Sequence, residues 1–239
     1  MPRFFIGDPP LDSNLVIMGE DARHIGRSLR MRLGDDITVC CQKTDYICRI
    51  LKISDEAVIC EILSKSESIE PSIDLTLFMA VPKLDKLELI VQKATELGAV
   101  KIVPVMTERC VSRPDGKQFS KKRERLERIA LEAAKQSGRG IVPSVSDIIG
   151  LKECIESMRE LDLGIVCYEK GGQPLGSFEY KSGMKVGLLV GSEGGFSPSE
   201  AESFRGAGLK LAWLGQRILR CETAPLAAIS IIMNLSGNM

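Results

Sequence analysis

Histidine is nearly absent: His24 is the only one in 239 residues. None of the eight cysteines (Cys40, Cys41, Cys48, Cys60, Cys110, Cys154, Cys167 and Cys221) stands in a C-x-x-C pair. That combination argues against a zinc site, and no metal is expected. Aromatic residues are also scarce, at 5%, so stacking of successive bases along a single-stranded track is not the obvious mode of any nucleic-acid contact. Excess charge is missing too, with 32 Lys and Arg against 32 Asp and Glu. A polyanion could therefore be held only by a local patch. No apolar run approaches the length of a membrane span, and the start, MPRFFIGDPPLDSN, lacks the stretch a secretory signal needs. A cytoplasmic protein with no membrane partner is expected. In that reducing setting the cysteines read as small structural hydrophobes, as at Cys60 and Cys167 in apolar runs.

What is present is enough apolar material, 44% of residues, for one large domain or two modest ones. Residues 1–70 read mostly as strand. Short β-branched runs at Ile37–Cys41, Tyr46–Ile53 and Ala57–Leu63 are separated by polar turns, a spacing that suggests a small barrel. A helix from Glu20 to Met31 interrupts them, with Ala22, Ile25, Ser28 and Leu29 inward and Arg23, Arg27, Arg30 and Arg32 elsewhere. Those arginines are either a solvated face or a phosphate-binding patch. The segment holds nine Lys and Arg against twelve Asp and Glu, so such a patch would have to be focused. Ser64–Ser72 is polar, contains Pro71, and reads as a linker.

From Ile73 strands alternate with helices. Strands are expected at Leu75–Ala80, Val100–Val105, Leu163–Cys167, Val186–Val190 and Leu211–Leu214. Helices are expected at Leu84–Leu97, Lys121–Lys135, Leu151–Leu161 and Ala224–Leu235. This order predicts a largely parallel sheet covered on both faces. The segment from Arg109 to Arg139 is rich in basic residues, including Lys121 and Lys122. It is either a solvated helix face or a track for an RNA backbone.

Two loops stand out. Gly191-Ser192-Glu193-Gly194-Gly195-Phe196 follows one strand, and Leu214 to Pro225 follows another. In an α/β sheet the carboxyl ends of strands carry the chemistry. Ser197, Pro198 and Glu200 form a helix start with a capping box. The first loop is no phosphate loop, because it has neither G-x-x-x-x-G-K-[ST] nor G-x-G-x-x-G, and Glu193 would repel a phosphate. The second holds Arg217, Arg220 and Glu222, with Thr223 as expected N-cap. The last helix is apolar nearly all round, which predicts burial in its own core or against a partner subunit.

The segments GSEGGFSPSE and LGQRILRCETAP resemble the closing motifs of the ribosomal RNA small subunit methyltransferase E family. The resemblance extends over nearly the whole chain. It includes Asp21-Ala22-Arg23-His24-Ile25 with Leu29-Arg30 and Gly34-Asp35, and Gln92-Lys93-Ala94-Thr95-Glu96-Leu97-Gly98. It includes also Thr107-Glu108-Arg109 and Ala133-Ala134-Lys135-Gln136-Ser137-Gly138-Arg139. Ser192 stands where the family often has proline, Cys110 where serine is common, and Cys221 where threonine is common.

The resemblance implies S-adenosylmethionine-dependent methylation of N3 of a uridine in small-subunit (16S) ribosomal RNA. It implies a PUA-like β-barrel over residues 1–70, then a SPOUT-type, trefoil-knotted α/β parallel-sheet methyltransferase domain over 73–239, with the knot within about 186–239. It further implies a homodimer acting on RNA in an assembled or assembling subunit. Carried over by position, the S-adenosylmethionine site would comprise Tyr168, Val190, Gly191, Gly195, Leu214, Gly215, Ile218, Leu219, Thr223 and Ala224. Uridine N3 carries a proton at neutral pH, so something must take that proton or stabilise the charge that develops. Arg220 is the expected source of positive charge, with Glu193 or Glu222 as base or as the group that orients it. Arg23, Arg27, Arg30, Lys121, Lys122 and Arg139 are the expected RNA-holding residues. The competing reading is a non-catalytic RNA-binding assembly factor of the same fold, which cofactor binding would distinguish.

Overall fold

The computed structural model describes residues 1–10 and 12–239. Two compact units emerge, one of residues 1–70 with 134–141, the other of residues 71–133 with 142–239.

The first unit is built on a five-stranded sheet. Its strands are β1 (Arg3–Phe5), β2 (Asn14–Met18), β3 (Asp36–Cys41), β4 (Thr44–Ile53) and β5 (Ala57–Glu67), in the order β1-β3-β4-β5-β2. β1 pairs parallel to β3, and the other pairs are antiparallel. The β4–β5 register shifts twice, at Ile47/Cys48 and at Ile50/Lys52. Such bulges bend and twist a ribbon, which curls the sheet around its contents. Phe4, Leu15, Ile17, Ile37, Val39, Ile50 and Val58 fill the concave side, and Ala22 and Ile25 close over them. Cys48 and Cys60 belong to this core, and burial pushes the Cys60 thiol up to about 12, where it stays protonated.

The helix expected to reach Met31 ends early. α1 (Gly19–Arg23) passes into a wider π-type turn over His24–Ser28, where the Leu29 N–H bonds to the His24 carbonyl five residues back. Widening the turn lengthens the period. Ser28 and Leu29, expected inward, are therefore rotated into solvent. The expected linker also differs: β5 continues to Glu67, and Glu70 is nearly buried.

The second unit holds an eight-stranded sheet in which every pairing is parallel. Its elements are β6 (Asp74–Ala80), α2 (Lys86–Glu96), β7 (Lys101–Met106), α3 (Gly116–Ser137), β8 (Ser144–Val145), β9 (Ile149–Gly150) and α4 (Leu151–Arg159). There follow β10 (Leu163–Cys167), β11 (Gln173–Pro174), β12 (Lys185–Val190), α5 (Pro198–Gly206), β13 (Lys210–Trp213) and α6 (Thr223–Leu235). The strand order is β11-β13-β10-β12-β6-β7-β8, with β9 also on β7.

Successive side chains of a strand point to opposite faces. Leu75, Leu77, Met79, Leu188 and Val190 therefore meet one layer, formed by α2, α6 and the Phe119–Ala130 part of α3. Phe78, Leu189 and Val166 meet the other, formed by α4 and α5. Each fully buried Leu or Phe contributes about 1.5–3 kcal/mol, so the apolar runs of β6 and β12 make the sheet centre the firmest part of the unit. α6 buries Pro225, Ala228, Ile229, Ile232 and Met233 but leaves Ile231 and Leu235 exposed. No helix among the described residues is long and apolar enough to cross a membrane.

Candidate functional site

The four strands β13, β10, β12 and β6 are adjacent and parallel. Their carboxyl ends consequently open at one edge, and the segments that follow them meet there. A cavity of about 520 Å³ lies at this edge, within the size range of small-molecule sites. It is walled by 167–169 after β10, 190–195 after β12, and 212–221 after β13, with Ala224 at the start of α6.

The first loop turns back on itself, with the Gly195 N–H bonded to the Ser192 carbonyl at 3.0 Å. Gly195 has φ of +61°. A Cβ at Gly191 would lie 3.1 Å from Gly195 Cα, so the backbones touch where side chains would keep them apart. The loop is pinned from behind. Arg109 donates to the Gly194 carbonyl at 2.9 Å, and the Ser192 hydroxyl donates to the Arg109 carbonyl at 3.4 Å.

The expected capping box is present. The Ser197 hydroxyl accepts the Glu200 N–H at 3.3 Å, and the Glu200 carboxylate accepts the Ser197 N–H at 2.8 Å. Glu200 is 5% exposed and also accepts the Glu108 N–H at 2.8 Å, while Ser197 donates to the Glu108 carboxylate at 2.7 Å. One cap thus ties α5 to the segment after β7. Ser197→Ala removes the cap and the Glu108 contact together, and is expected to cost about 1–2 kcal/mol in urea denaturation. A loss near zero would mean that the box does not hold this loop.

Of the residues expected around a cofactor, Tyr168, Val190, Gly191, Gly195, Leu214, Gly215, Ile218, Leu219 and Ala224 all line the cavity. Thr223 is outside that lining, and it is the first residue of α6 rather than its N-cap, which is Glu222. Glu169 adds a carboxylate against Gly195, and Trp213, Gln216 and Arg217 complete the wall. Arg220 lines the cavity and is solvent-exposed. Its backbone is fixed, since its carbonyl accepts the Thr223 and Ala224 N–H groups at 2.8 and 2.9 Å.

Glu193 and Glu222 stand differently from expectation. Both are ion-paired to Lys86, at 3.2 and 3.0 Å. Burial pushes the Glu193 carboxyl upward, but its own backbone N–H, the Lys86 ammonium and the Lys83 N–H outweigh this and hold it below its ordinary value. Lys86, its own backbone N–H and the Cys221 thiol do the same to Glu222. A carboxylate so stabilised is a weaker base, which weakens the base reading of both residues. Burial, then Glu222, pushes the Cys221 thiol up to about 12.

The expected RNA-holding residues divide. Arg23, Arg30 and Lys121 are exposed. Arg27 is exposed but engaged with Asp55, and Lys122 bonds the Leu84 carbonyl at 3.1 Å. Arg139 does not lie on the basic surface expected of it. It is 4% exposed, and its guanidinium grips the Glu70 carboxylate at 2.7–3.0 Å. It holds the first unit together and cannot reach a phosphate from there.

Lys86 went unread in the sequence. Its one signal in the sequence is a lysine in the first turn of the expected helix Leu84–Leu97, where the helix dipole disfavours a cation; α2 in fact begins at Lys86.

The RNA methyltransferase domain family matches residues 69–233, and the RNA methyltransferase PUA domain family matches residues 17–63. The chain is 36% identical to ribosomal RNA small subunit methyltransferase E of Bacillus subtilis, over 90% of this chain and 88% of that one. It is 32% identical to the protein of the same name from Aquifex aeolicus, over 92% and 95%. Among solved structures, ribosomal RNA small subunit methyltransferase E of Neisseria gonorrhoeae, bound to S-adenosylmethionine, superposes with a TM-score of 0.88 at 32% identity. That match covers 99% of this chain and 98% of that one.

Proposed function

Because the chain belongs to the ribosomal RNA small subunit methyltransferase E family, we propose that it methylates N3 of one uridine in 16S ribosomal RNA. Methylation of small-subunit ribosomal RNA with S-adenosylmethionine is the activity of this family. The observation that carries the reading to this chain is the cavity: three neighbouring parallel strands deliver the three segments that wall it.

The cavity suits the cofactor. Val190, Leu214, Ile218, Leu219 and Ala224 supply apolar surface, while Gly191, Gly195 and Gly215 allow close approach to backbone groups. When bound, S-adenosylmethionine supplies an activated methyl group and its own leaving group. The protein's share is therefore chiefly to position the reactants. Arg220, rooted at the start of α6, directs positive charge toward the flanking carbonyl oxygens of the uridine and favours loss of the N3 proton to solvent water. Glu193 and Glu222 shape the loops. The exposed Arg23, Arg27, Arg30 and Lys121 hold the RNA backbone, with the half-buried Lys122 beside them.

The homodimer belongs to the same proposal, supported by Ile231 and Leu235, apolar side chains that α6 leaves exposed. So does the threaded trefoil connection, in which α6 returns from β13 to the layer that holds α2. A cytoplasmic location follows from the substrate.

Calorimetry with S-adenosylmethionine is expected to give one site per chain. Ribosomal RNA from cells lacking the protein should lose one N3-methyluridine from the small-subunit RNA, regained when the purified protein and cofactor are added to subunits. Absence of cofactor binding would favour the non-catalytic assembly factor.

A further inference from the structure

Lys86 is placed against local preference. It is the first residue of α2, where Asp85 supplies no side-chain cap. The turn that delivers it is strained: Leu84 has φ of +55° and an exposed side chain, so packing does not compensate. Instead, polar contacts hold the turn. The Glu193 carboxylate accepts the Lys83 N–H at 3.2 and 3.4 Å, and the Lys122 ammonium holds the Leu84 carbonyl at 3.1 Å. Departures from local preference tend to mark functional positions.

The Lys86 ammonium meets both loops of the cavity. Glu193 belongs to the glycine loop after β12, and Glu222 ends the loop after β13. Cys221, which lines the cavity between them, lies 3.7 Å from the same ammonium. The two loops are not adjacent in the sheet, because β10 separates β12 from β13. A cation from β6's end therefore fastens two walls that the sheet itself does not join.

We propose that Lys86 is a positioning residue whose ammonium bridges Glu193 and Glu222 and so holds the cofactor cavity in one shape. This rests on the cavity being the cofactor site. Without the cation, two carboxylates that share one partner face each other and drive the loops apart. An arginine can bridge them, and so can removal of all three charges relieve them.

The test is calorimetry with S-adenosylhomocysteine, whose uncharged thioether keeps a simple change of site charge from dominating the result. Lys86→Met is expected to weaken binding by about tenfold or more, Lys86→Arg to stay within about threefold of wild type, and Lys86→Met with Glu193→Gln and Glu222→Gln to recover to a similar level. Binding by Lys86→Met equal to wild type would overturn the role. So would failure of the triple variant to recover, which would make Lys86 a packing residue. If Lys86→Met alone does not fold, the triple variant decides the matter in the same way. No binding by the wild type would instead overturn the reading of the cavity.

Discussion

Arg220→Ala is expected to lower single-turnover methylation by about a hundredfold to a thousandfold, the scale on which removing one fixed charge-stabilising group acts. Cofactor affinity, measured in parallel, should change far less. The contrast follows from where Arg220 stands. Its backbone carbonyl is locked by two α6 N–H groups, while its side chain is exposed at the cavity rim. A group held this way contributes direction more than cofactor contact. Lysine should restore only part of the rate, because an ammonium cannot present a planar fork to neighbouring oxygens. Unchanged chemistry at full cofactor occupancy would remove Arg220 from the mechanism.

Glu70→Ala is expected to cost about 3–5 kcal/mol, read as the loss of the first unit in urea denaturation followed by circular dichroism. The Glu70 carboxylate accepts two Arg139 nitrogens as well as the Gly140 and Ile141 N–H groups, at 2.6 and 3.2 Å. Both side chains are nearly closed to solvent, 5% and 9% exposed. Alanine takes away the carboxylate and leaves the guanidinium charge in place. Replacing both partners, Arg139→Met with Glu70→Leu, should cost less than Glu70→Ala alone, because the nearly buried guanidinium is removed together with the carboxylate. If the double change proves the more damaging, the pair contributes through geometry that apolar contact cannot replace.

These two residues also mark what could be read without coordinates. Local signals were legible. The strand Leu163–Cys167 was bounded by its own apolar run, and Ser197 with Glu200 announced a helix start that is present to the residue. β1 is too short to read, because three residues offer too little periodicity. In sequence Arg139 reads as an RNA contact, because its neighbours look like a basic surface and its partner Glu70 lies 69 positions away. The cavity was legible only in part. Gly191 and Leu214 belong to loops whose composition was unusual, but their meeting depends on β10 lying between β12 and β13. Chain order does not contain that. Lys86 depends on β6 lying beside β12, a fact of the same kind. Adjacency of parallel strands is settled by which apolar faces pack together, and every such strand looks alike in sequence.

The first unit is not a continuous stretch of chain, since residues 134–141 complete it. During synthesis the five strands leave the ribosome long before the Arg139 that neutralises Glu70. An N-terminal segment ordinarily folds as soon as it emerges. Here all five strands are made but residues 134–141 are still to come while the first strands and helices of the other unit are synthesised. A fragment ending at residue 70 is consequently not a smaller version of this unit. It has the five strands but lacks the Arg139 guanidinium and the Gly140 and Ile141 N–H groups that meet Glu70.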